Sequence, residues 1–197
     1  MADRYDLVVV GGGPAGASAA IFAARAGLRT LVLDADKGMT RRALVNNLLG
    51  FPEGIQGPEL VERGQRHAQR AGAEWQSTEV TALQPADDSV RLTTSGGRTF
   101  DADQVLVTTG ASAALAHEAG AATRPAIEPR MKEAIAVDEQ GRTNVPRLWA
   151  AGAAAGVSVH AIITAGDAAR VAINIISDRN GQRHVDHDVL PTPAATA

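Results

Sequence analysis

Leu7-Val8-Val9-Val10-Gly11-Gly12-Gly13-Pro14-Ala15-Gly16 is the stretch that decides the fold. Four apolar residues, three of them β-branched, run straight into three glycines and a proline. The run is too short for a helix and reads as a strand buried on both faces, as in a parallel sheet. Gly11, Gly13 and Gly16 then satisfy G-x-G-x-x-G at the junction between this strand and a helix expected over Pro14 to Ala26, with Gly27 as its C-cap. Thr30 to Leu33 forms a second strand, closed by Asp34. Strand, glycine turn, helix and strand make a βαβ unit.

Each glycine of that turn has a mechanical task. The first permits the tight bend, the second lets a ligand's pyrophosphate approach the backbone, and the third lets helix and strand pack closely. The helix N-terminus offers free N–H groups and a partial positive charge, and Pro14 costs nothing in its first turn. A carboxylate at Asp34 can accept bonds from both hydroxyls of an adenosine ribose and would repel a 2′-phosphate, which argues against NADP. Taken alone, Asp34 could equally be a solvated strand end or a helix cap. The pattern as a whole points to a dinucleotide.

Working outward, residues 35–56 form a long loop with few periodic signals, a length usually tied to function. Glu59 to Ala71 reads as an amphipathic helix. Trp75 to Leu83 reads as a strand, and Val90 to Thr94 turns at Ser95-Gly96-Gly97 and returns through Arg98 to Phe100 as a hairpin. Val105 to Thr108 is a further buried strand. Residues 112–130 read as a connection with one short helix, and Ile135–Asp138 and Thr143–Val145 as a hairpin around Glu139-Gln140-Gly141. Leu148 to Gly152 is a late core strand running into a second glycine turn, and His160 to Ile176 is a long apolar helix. Residues 1–181 are expected to form one domain, with 182–197 a flexible tail.

Composition sets bounds. The chain has 197 residues, a net charge of −3 and no cysteine. Disulfides, thiolate metal ligands, cysteine nucleophiles and a redox dithiol are therefore excluded within it. The charge balance invites neither nucleic acid nor an anionic membrane, and no apolar run reaches the roughly 18 residues of a membrane span. The start has the character of neither a signal nor a transit peptide. A soluble, cytoplasmic protein with no metal site is the expectation.

Three further segments carry a resemblance. Asn46-Asn47-Leu48-Leu49-Gly50-Phe51-Pro52-Glu53-Gly54-Ile55-Gln56-Gly57-Pro58-Glu59-Leu60, Val105-Leu106-Val107-Thr108-Thr109-Gly110-Ala111 and Thr143-Asn144-Val145-Pro146-Arg147-Leu148-Trp149-Ala150-Ala151-Gly152 stand beside the first glycine turn. With it they make the chain resemble the FAD domain of thioredoxin reductase-like flavoproteins, in the pyridine nucleotide-disulfide oxidoreductase class. The middle segment is similar to that family's Ala-Thr-Gly strand end. The resemblance implies an α/β, FAD/NAD(P)-binding Rossmann-like fold of three layers. A parallel central sheet would have helices on one side and a small antiparallel β-meander on the other.

It also implies roles. Gly11, Gly13, Pro14, Ala15 and Gly16 would hold the pyrophosphate. Asp34, with Ala35 beside it, would bind the adenosine ribose where the family more often has Glu, and Val80 would lie by the adenine. Asn47 would sit near the flavin or ribityl chain, with Arg41 or Arg42 nearby. Thr109, Gly110, Gly152 and Ala153 would pack on the cofactor. His160, Ala161 and Ile162 would face the flavin's pyrimidine edge, where a helix N-terminus stabilises negative charge by about 0.3–1 kcal/mol if exposed. On ordinary usage, His160 is more often a helix-start residue than an acid, while Arg41 and Arg42 are equally a solvated pair, and Asn47 equally a turn residue. His184 and His187 fit no metal spacing.

Three departures stand against these matches. The family inserts an NADPH domain between the two halves of its FAD domain; here only about residues 111–130 occupy that place, with no second glycine motif. Its C-x-x-C relay is impossible without cysteine. Ala153 replaces the Asp that usually follows the matching glycine, removing a charge-assisted hydrogen bond of about 1.5–3 kcal/mol if buried. The expected function is a minimal FAD-binding oxidoreductase, moving electrons between an unknown acceptor and an external donor, NAD(P)H or a protein. Its exposed flavin face would favour a homodimer or another partner. The alternatives are a non-catalytic FAD-binding module or subunit, and an NAD-binding Rossmann protein.

Overall fold

The computed structural model describes residues 3–190. In chain order its strands and helices are β1 (Asp3–Val10), α1 (Pro14–Arg25), β2 (Thr30–Asp34), β3 (Leu44–Val45), β4 (Ile55–Gln56), α2 (Gly57–Arg70), β5 (Glu74–Ser77), β6 (Val80–Pro85), β7 (Val90–Thr94), β8 (Thr99–Val107), α3 (Ala114–Glu118), β9 (Thr123–Pro125), β10 (Glu133–Ile135), β11 (Leu148–Ala150) and α4 (Ala161–Asn180).

The parallel part of the sheet runs β5-β2-β1-β8-β11. Alternation of side chains along its strands divides the core in two. Leu7 and Val9 of β1, Val32 of β2, Leu106 of β8 and Trp149 of β11 meet the alanine face of α1 (Ala15, Ala19, Ala20, Ala23) and Ala168 and Val171 of α4. Val8, Val10, Leu31, Leu33, Val105 and Val107 point the other way, onto Leu83, Val90, Leu92 and Phe100 of the antiparallel layer. This is the three-layer arrangement expected, with helices on one face and a meander on the other. Alanine on α1 lets that helix lie close to the sheet and to α4, so small side chains replace bulk as the means of excluding water.

Strand β8 belongs to both layers. Its first half pairs antiparallel with β7 through Thr99 to Ala102, and its last three residues pair parallel with β11. Its opposite edge pairs with β1 from Phe100 to Val107. β8 is thus one continuous strand where the sequence pattern predicts two, at Arg98–Phe100 and Val105–Thr108. The polar Asp101, Asp103 and Gln104 face edges where they are paired, Asp101 with Arg91 at 2.8 Å and Gln104 with the Trp149 indole at 2.7 Å, so the strand is not interrupted.

Three more expectations need correction. Trp75 to Leu83 is two strands, β5 on the parallel sheet and β6 in the meander, because the chain leaves the sheet at Thr78, whose N–H donates to the Asp34 carbonyl at 2.9 Å. The hairpin of Ile135–Asp138 with Thr143–Val145 does not form. Its turn exists, through Asp138 N–H to Arg142 O and Gly141 N–H to Asp138 O, but Ile135 pairs with Thr123 in the β9-β10 ribbon instead. The loop over 35–56 contains a 3₁₀ turn at Met39–Arg42 and the small β3-β4 ribbon. Helix α1 begins at Pro14 as expected and ends at Arg25, with Gly27 at φ 83°, while α4 starts at Ala161 with His160 as its N-cap and runs on to Asn180, past the expected end at Ile176.

Of the tail, residues 183–188 contact the helices. Arg183 donates to Asn174 Oδ1 at 2.8 Å, the His184 N–H to Ser177 Oγ at 3.0 Å, and Arg25 pairs with Asp186 and Asp188 at 2.8 and 2.6 Å. Residues 191–197 of the expected tail lie outside the described residues. No described helix is long and apolar enough to cross a membrane.

At the far end of β1, Tyr5 is buried against Phe100 and donates its hydroxyl to Glu74 Oε2 at 2.8 Å. Burial, then the Glu74 bond and charge, push its pKa up from 10.0 to about 12. The folded state thus keeps a proton that the unfolded chain loses. The resulting stability is complete below pH 10 and is lost as the pH rises through 10 toward 12. Tyr5→Phe should flatten that part of the curve of thermal midpoint against pH, while a wild-type slope retained by the variant would assign it elsewhere.

Candidate functional site

The carboxyl ends of β1, β2, β8 and β11 lie on one edge of the sheet. There the chain places Gly11–Gly16, Asp34, Thr108–Gly110 and Gly152. From β1 the chain goes outward to β2 and β5 on one side and later to β8 and β11 on the other. The topological switch point is therefore between β1 and β8, the place where open α/β sheets bind ligands.

Of the four glycines in the turn, three are closely packed and one is open. Gly11 has φ +104°, and a Cβ on it would lie 2.5 Å from the Thr108 carbonyl oxygen. A Cβ on Gly16 would overlap the Gly11 carbonyl, and one on Gly12 would overlap Trp75 and Asp34. A Cβ on Gly13 would meet nothing within 4 Å. Gly11 and Gly16 are thus held by close packing, as is Gly12, while Gly13 is left open. The first helical bond of α1 runs from Ala17 N–H to Gly13 O at 2.9 Å, which leaves the Ala15 and Gly16 amides without an intrahelical acceptor. Free amides at a helix start, beside a glycine whose missing side chain leaves space, fit a pyrophosphate.

Asp34 is buried, and its Oδ1 accepts the Gly12 N–H at 3.0 Å. Its Oδ2 lies 3.7 Å from Arg41, whose guanidinium is also paired with Asp36. Arg41, rather than Arg42, is therefore the arginine that reaches this carboxylate; Arg42 is exposed at the end of the 3₁₀ turn. Ala35 follows Asp34 and is half-buried, and Val80 is buried two residues beyond the Thr78 contact with β2. Asn47 is exposed in the loop before β4, and the neighbouring Leu48 borders a groove of about 240 Å³ between α1, α2 and α4 that also touches Gly13, Pro14 and Ala161.

On the other side of the switch point, Gly110 has φ +66° and open space at its Cβ position. The Thr109 hydroxyl is turned away, donating to the Ser112 carbonyl at 2.6 Å. Gly152 has φ +70°, and its N–H donates to Asp167 Oδ2 at 2.8 Å. Ala153 is buried in the 3₁₀ turn that follows. The carboxylate missing at 153 thus has a counterpart on α4, but one engaged by the Gly152 backbone and by Arg170 at 2.8 Å.

His160 is exposed and is the N-cap of α4, with Nδ1 2.8 Å from Ser158 Oγ and no side-chain bond into the helix. Its carbonyl accepts the Ile163 and Thr164 amides, leaving those of Ala161 and Ile162 without an intrahelical acceptor. No group of three or more metal-ligating residues occurs among the described residues. Sequence reasoning missed Gly12, Trp75, Thr108, Arg41 as the partner of Asp34, and Asp167. The last had a signal, the first charged residue of α4, standing in its second turn after an apolar start.

A parallel sheet with an open glycine turn at its switch point and an acidic residue closing β2 defines a dinucleotide-binding Rossmann-like protein. The chain belongs to the pyridine nucleotide-disulphide oxidoreductase family, which it matches over residues 5–53 and 51–174. Thioredoxin reductase of Streptomyces coelicolor is 36% identical over 114 residues, 56% of this chain and 35% of that protein. The enzyme of Chlamydia trachomatis is 39% identical over 115 residues, 54% of this chain and 36% of the relative. The match thus spans about a third of these relatives' length. Among solved structures, a thioredoxin reductase from Gloeobacter violaceus has a TM-score of 0.79 at 18% identity, covering 97% of this chain and 100% of that one. An oxidoreductase from Agrobacterium tumefaciens has a TM-score of 0.79 at 14% identity, covering 90% and 99%. FAD is the cofactor of this family, and the glycine turn fits its pyrophosphate.

Gly13→Ala and Gly16→Ala should separate ligand space from packing space. Gly13→Ala should leave the thermal midpoint of the ligand-free protein nearly unchanged while FAD affinity falls by about a hundredfold, as a methyl enters the open side. Gly16→Ala should lower the midpoint itself. Equal behaviour of the two variants in calorimetry and FAD titration would contradict this assignment.

Proposed function

We propose that this chain is an FAD-dependent oxidoreductase without a dithiol relay, passing electrons between an external donor and an external acceptor. The observation that carries the reading is Gly13. Alone among the four glycines of the turn it faces empty space, at the point of the sheet where a dinucleotide would cross between the β1 and β8 sides. Gly13, Pro14 and the Ala15 and Gly16 amides would bind the pyrophosphate. The free lone pairs of Asp34 would take the ribose hydroxyls, with Ala35 and Val80 beside the adenosine. Asn47, Gly110, Gly152 and Ala153 would flank the ribityl and flavin portion, and the Ala161 and Ile162 amides would meet the pyrimidine edge.

FAD supplies two-electron chemistry when bound, and the protein supplies position and electrostatics. The sequence offers no cysteine, so electrons cannot pass through a dithiol of this chain. Between β8 and β11 stand only α3, the β9-β10 ribbon and their loops, where the resemblance leads one to expect a nucleotide domain. The ribbon is tied to the site's far wall by Arg124, which donates to the Ala155 carbonyl at 3.0 Å. A donor of the NAD(P)H or reduced-protein class would therefore have to approach from outside. A second reading, an FAD-binding subunit completed by a partner or a second copy, is favoured by the exposed Ile127, Val159, Ile162 and Ile163 on the ribbon and around the start of α4.

Purified protein should carry flavin absorption bands. Anaerobic rapid mixing with NADH or NADPH should bleach them if pyridine nucleotide is the donor. Persistent flavin colour with both would remove direct pyridine-nucleotide oxidation and leave the protein-donor or subunit reading. Colourless protein that binds NAD and not FAD would overturn the proposal.

A further inference from the structure

Thr108 lies just beyond β8, buried at 6% exposure. Its N–H donates to the Val10 carbonyl at 2.9 Å, and its hydroxyl oxygen lies 3.0 Å from the Val10 carbonyl oxygen and 2.9 Å from that of Gly11. One hydroxyl carries one proton, so the two carbonyls share it. The same oxygen is 2.9 Å from where a Cβ on Gly16 would stand. Thr108 therefore touches the end of β1, the first glycine of the turn and the third.

The Gly11–Gly12 peptide is planar and trans, so its C=O and N–H point in opposite directions. Its carbonyl is held by the Thr108 hydroxyl, and its N–H donates to Asp34 Oδ1 at 3.0 Å. This peptide is thus locked from both ends, across the gap between β8 and β2. A flip would aim a carbonyl oxygen at the Asp34 carboxylate and reverse the dipole of the turn. If a bound ribose draws on Asp34, as the FAD reading has it, the Thr108 end remains the hold on this peptide. The resembled family ends the matching strand in Ala-Thr-Gly, where this chain has Thr108-Thr109-Gly110, so the donor stands where the family carries a methyl group. The Thr109 hydroxyl is engaged with Ser112 and cannot serve in its place.

We propose that Thr108 is a positioning residue for the cofactor site: its hydroxyl fixes the Gly11–Gly12 peptide so that the turn presents its amides to the pyrophosphate before FAD arrives. This rests on the FAD reading of the site. In a chain with Ala153 in place of a cofactor-binding Asp, a preorganised turn is a second source of affinity, since rigidity in the bound form reduces the cost of binding.

The test is FAD titration of ligand-free protein, with hydrogen exchange at the Gly12 amide, for wild type, Thr108→Val and Thr108→Ser. Thr108→Val keeps the shape and loses the donor; it should weaken FAD binding by about tenfold and speed exchange at Gly12. Thr108→Ser should restore both to near wild type. Should Thr108→Val fail to fold, Thr108→Ala, the residue type of the family's strand end, reports the same loss. Affinity and Gly12 exchange equal in all variants would overturn the proposal while leaving the FAD reading intact, even if their thermal midpoints fell. Failure of the wild type to bind FAD would overturn the cofactor reading and this proposal with it.

Discussion

The Gly11 carbonyl is the point on which the rest of the site depends. It is contacted from one side by the Thr108 hydroxyl and from another by the α-carbon of Gly16, which comes so close that no side chain fits. Those two contacts bring three elements to one place: the end of β1, the end of β8 and the first turn of α1. Their separation is set by one side-chain hydrogen bond and one close approach of backbone to backbone. The direction in which α1 leaves the sheet follows from it, and with it the position of the free amides and the open side of Gly13.

From there the architecture is largely a matter of which faces can be covered. The parallel strands are apolar on both sides and need two layers. On one, α1 and α4 meet through alanine and valine. On the other, β8 supplies the cover itself by extending beyond the parallel sheet and pairing with β7, so the meander is continuous with the strand that lines the site. Because β8 begins in the meander and ends at Val107, directly before Thr108, the antiparallel layer and the crevice are mechanically one piece.

The segment between β8 and β11 is fastened to the wall of the site. The β9-β10 ribbon is tied back through Arg124 to the Ala155 carbonyl and through Glu128 to the Val159 amide at 3.3 Å. Both acceptor and donor belong to the stretch joining Gly152 to α4. The ribbon therefore holds the loop that positions the α4 N-terminus. It leaves Ile127, Val159, Ile162 and Ile163 exposed around it.

How much was legible in sequence divides along a physical line. Residues 7–34 declared strand, turn, helix and strand because every signal there is local: β-branched run, glycine spacing, proline at the helix start, glycine beyond its end. The same is true of the tight packing at Gly11 and Gly16. What could not be read was which strand lies beside which. Ile135 pairs with Thr123 and not with the segment beyond Gly141, and β8 runs unbroken through polar residues, because their partners, Arg91 and Trp149, are brought by other strands. Asp34 could be named from its place after β2. That its partners are Gly12 and Arg41, and that Thr108 rather than Thr109 grips the turn, depends on distances between segments far apart in sequence. The sequence by itself determined the dinucleotide turn, since a tight bend and a helix start are written in adjacent residues. Only the tertiary structure decided what holds that turn rigid, since a hydrogen bond from residue 108 to residue 11 exists only once the sheet has formed.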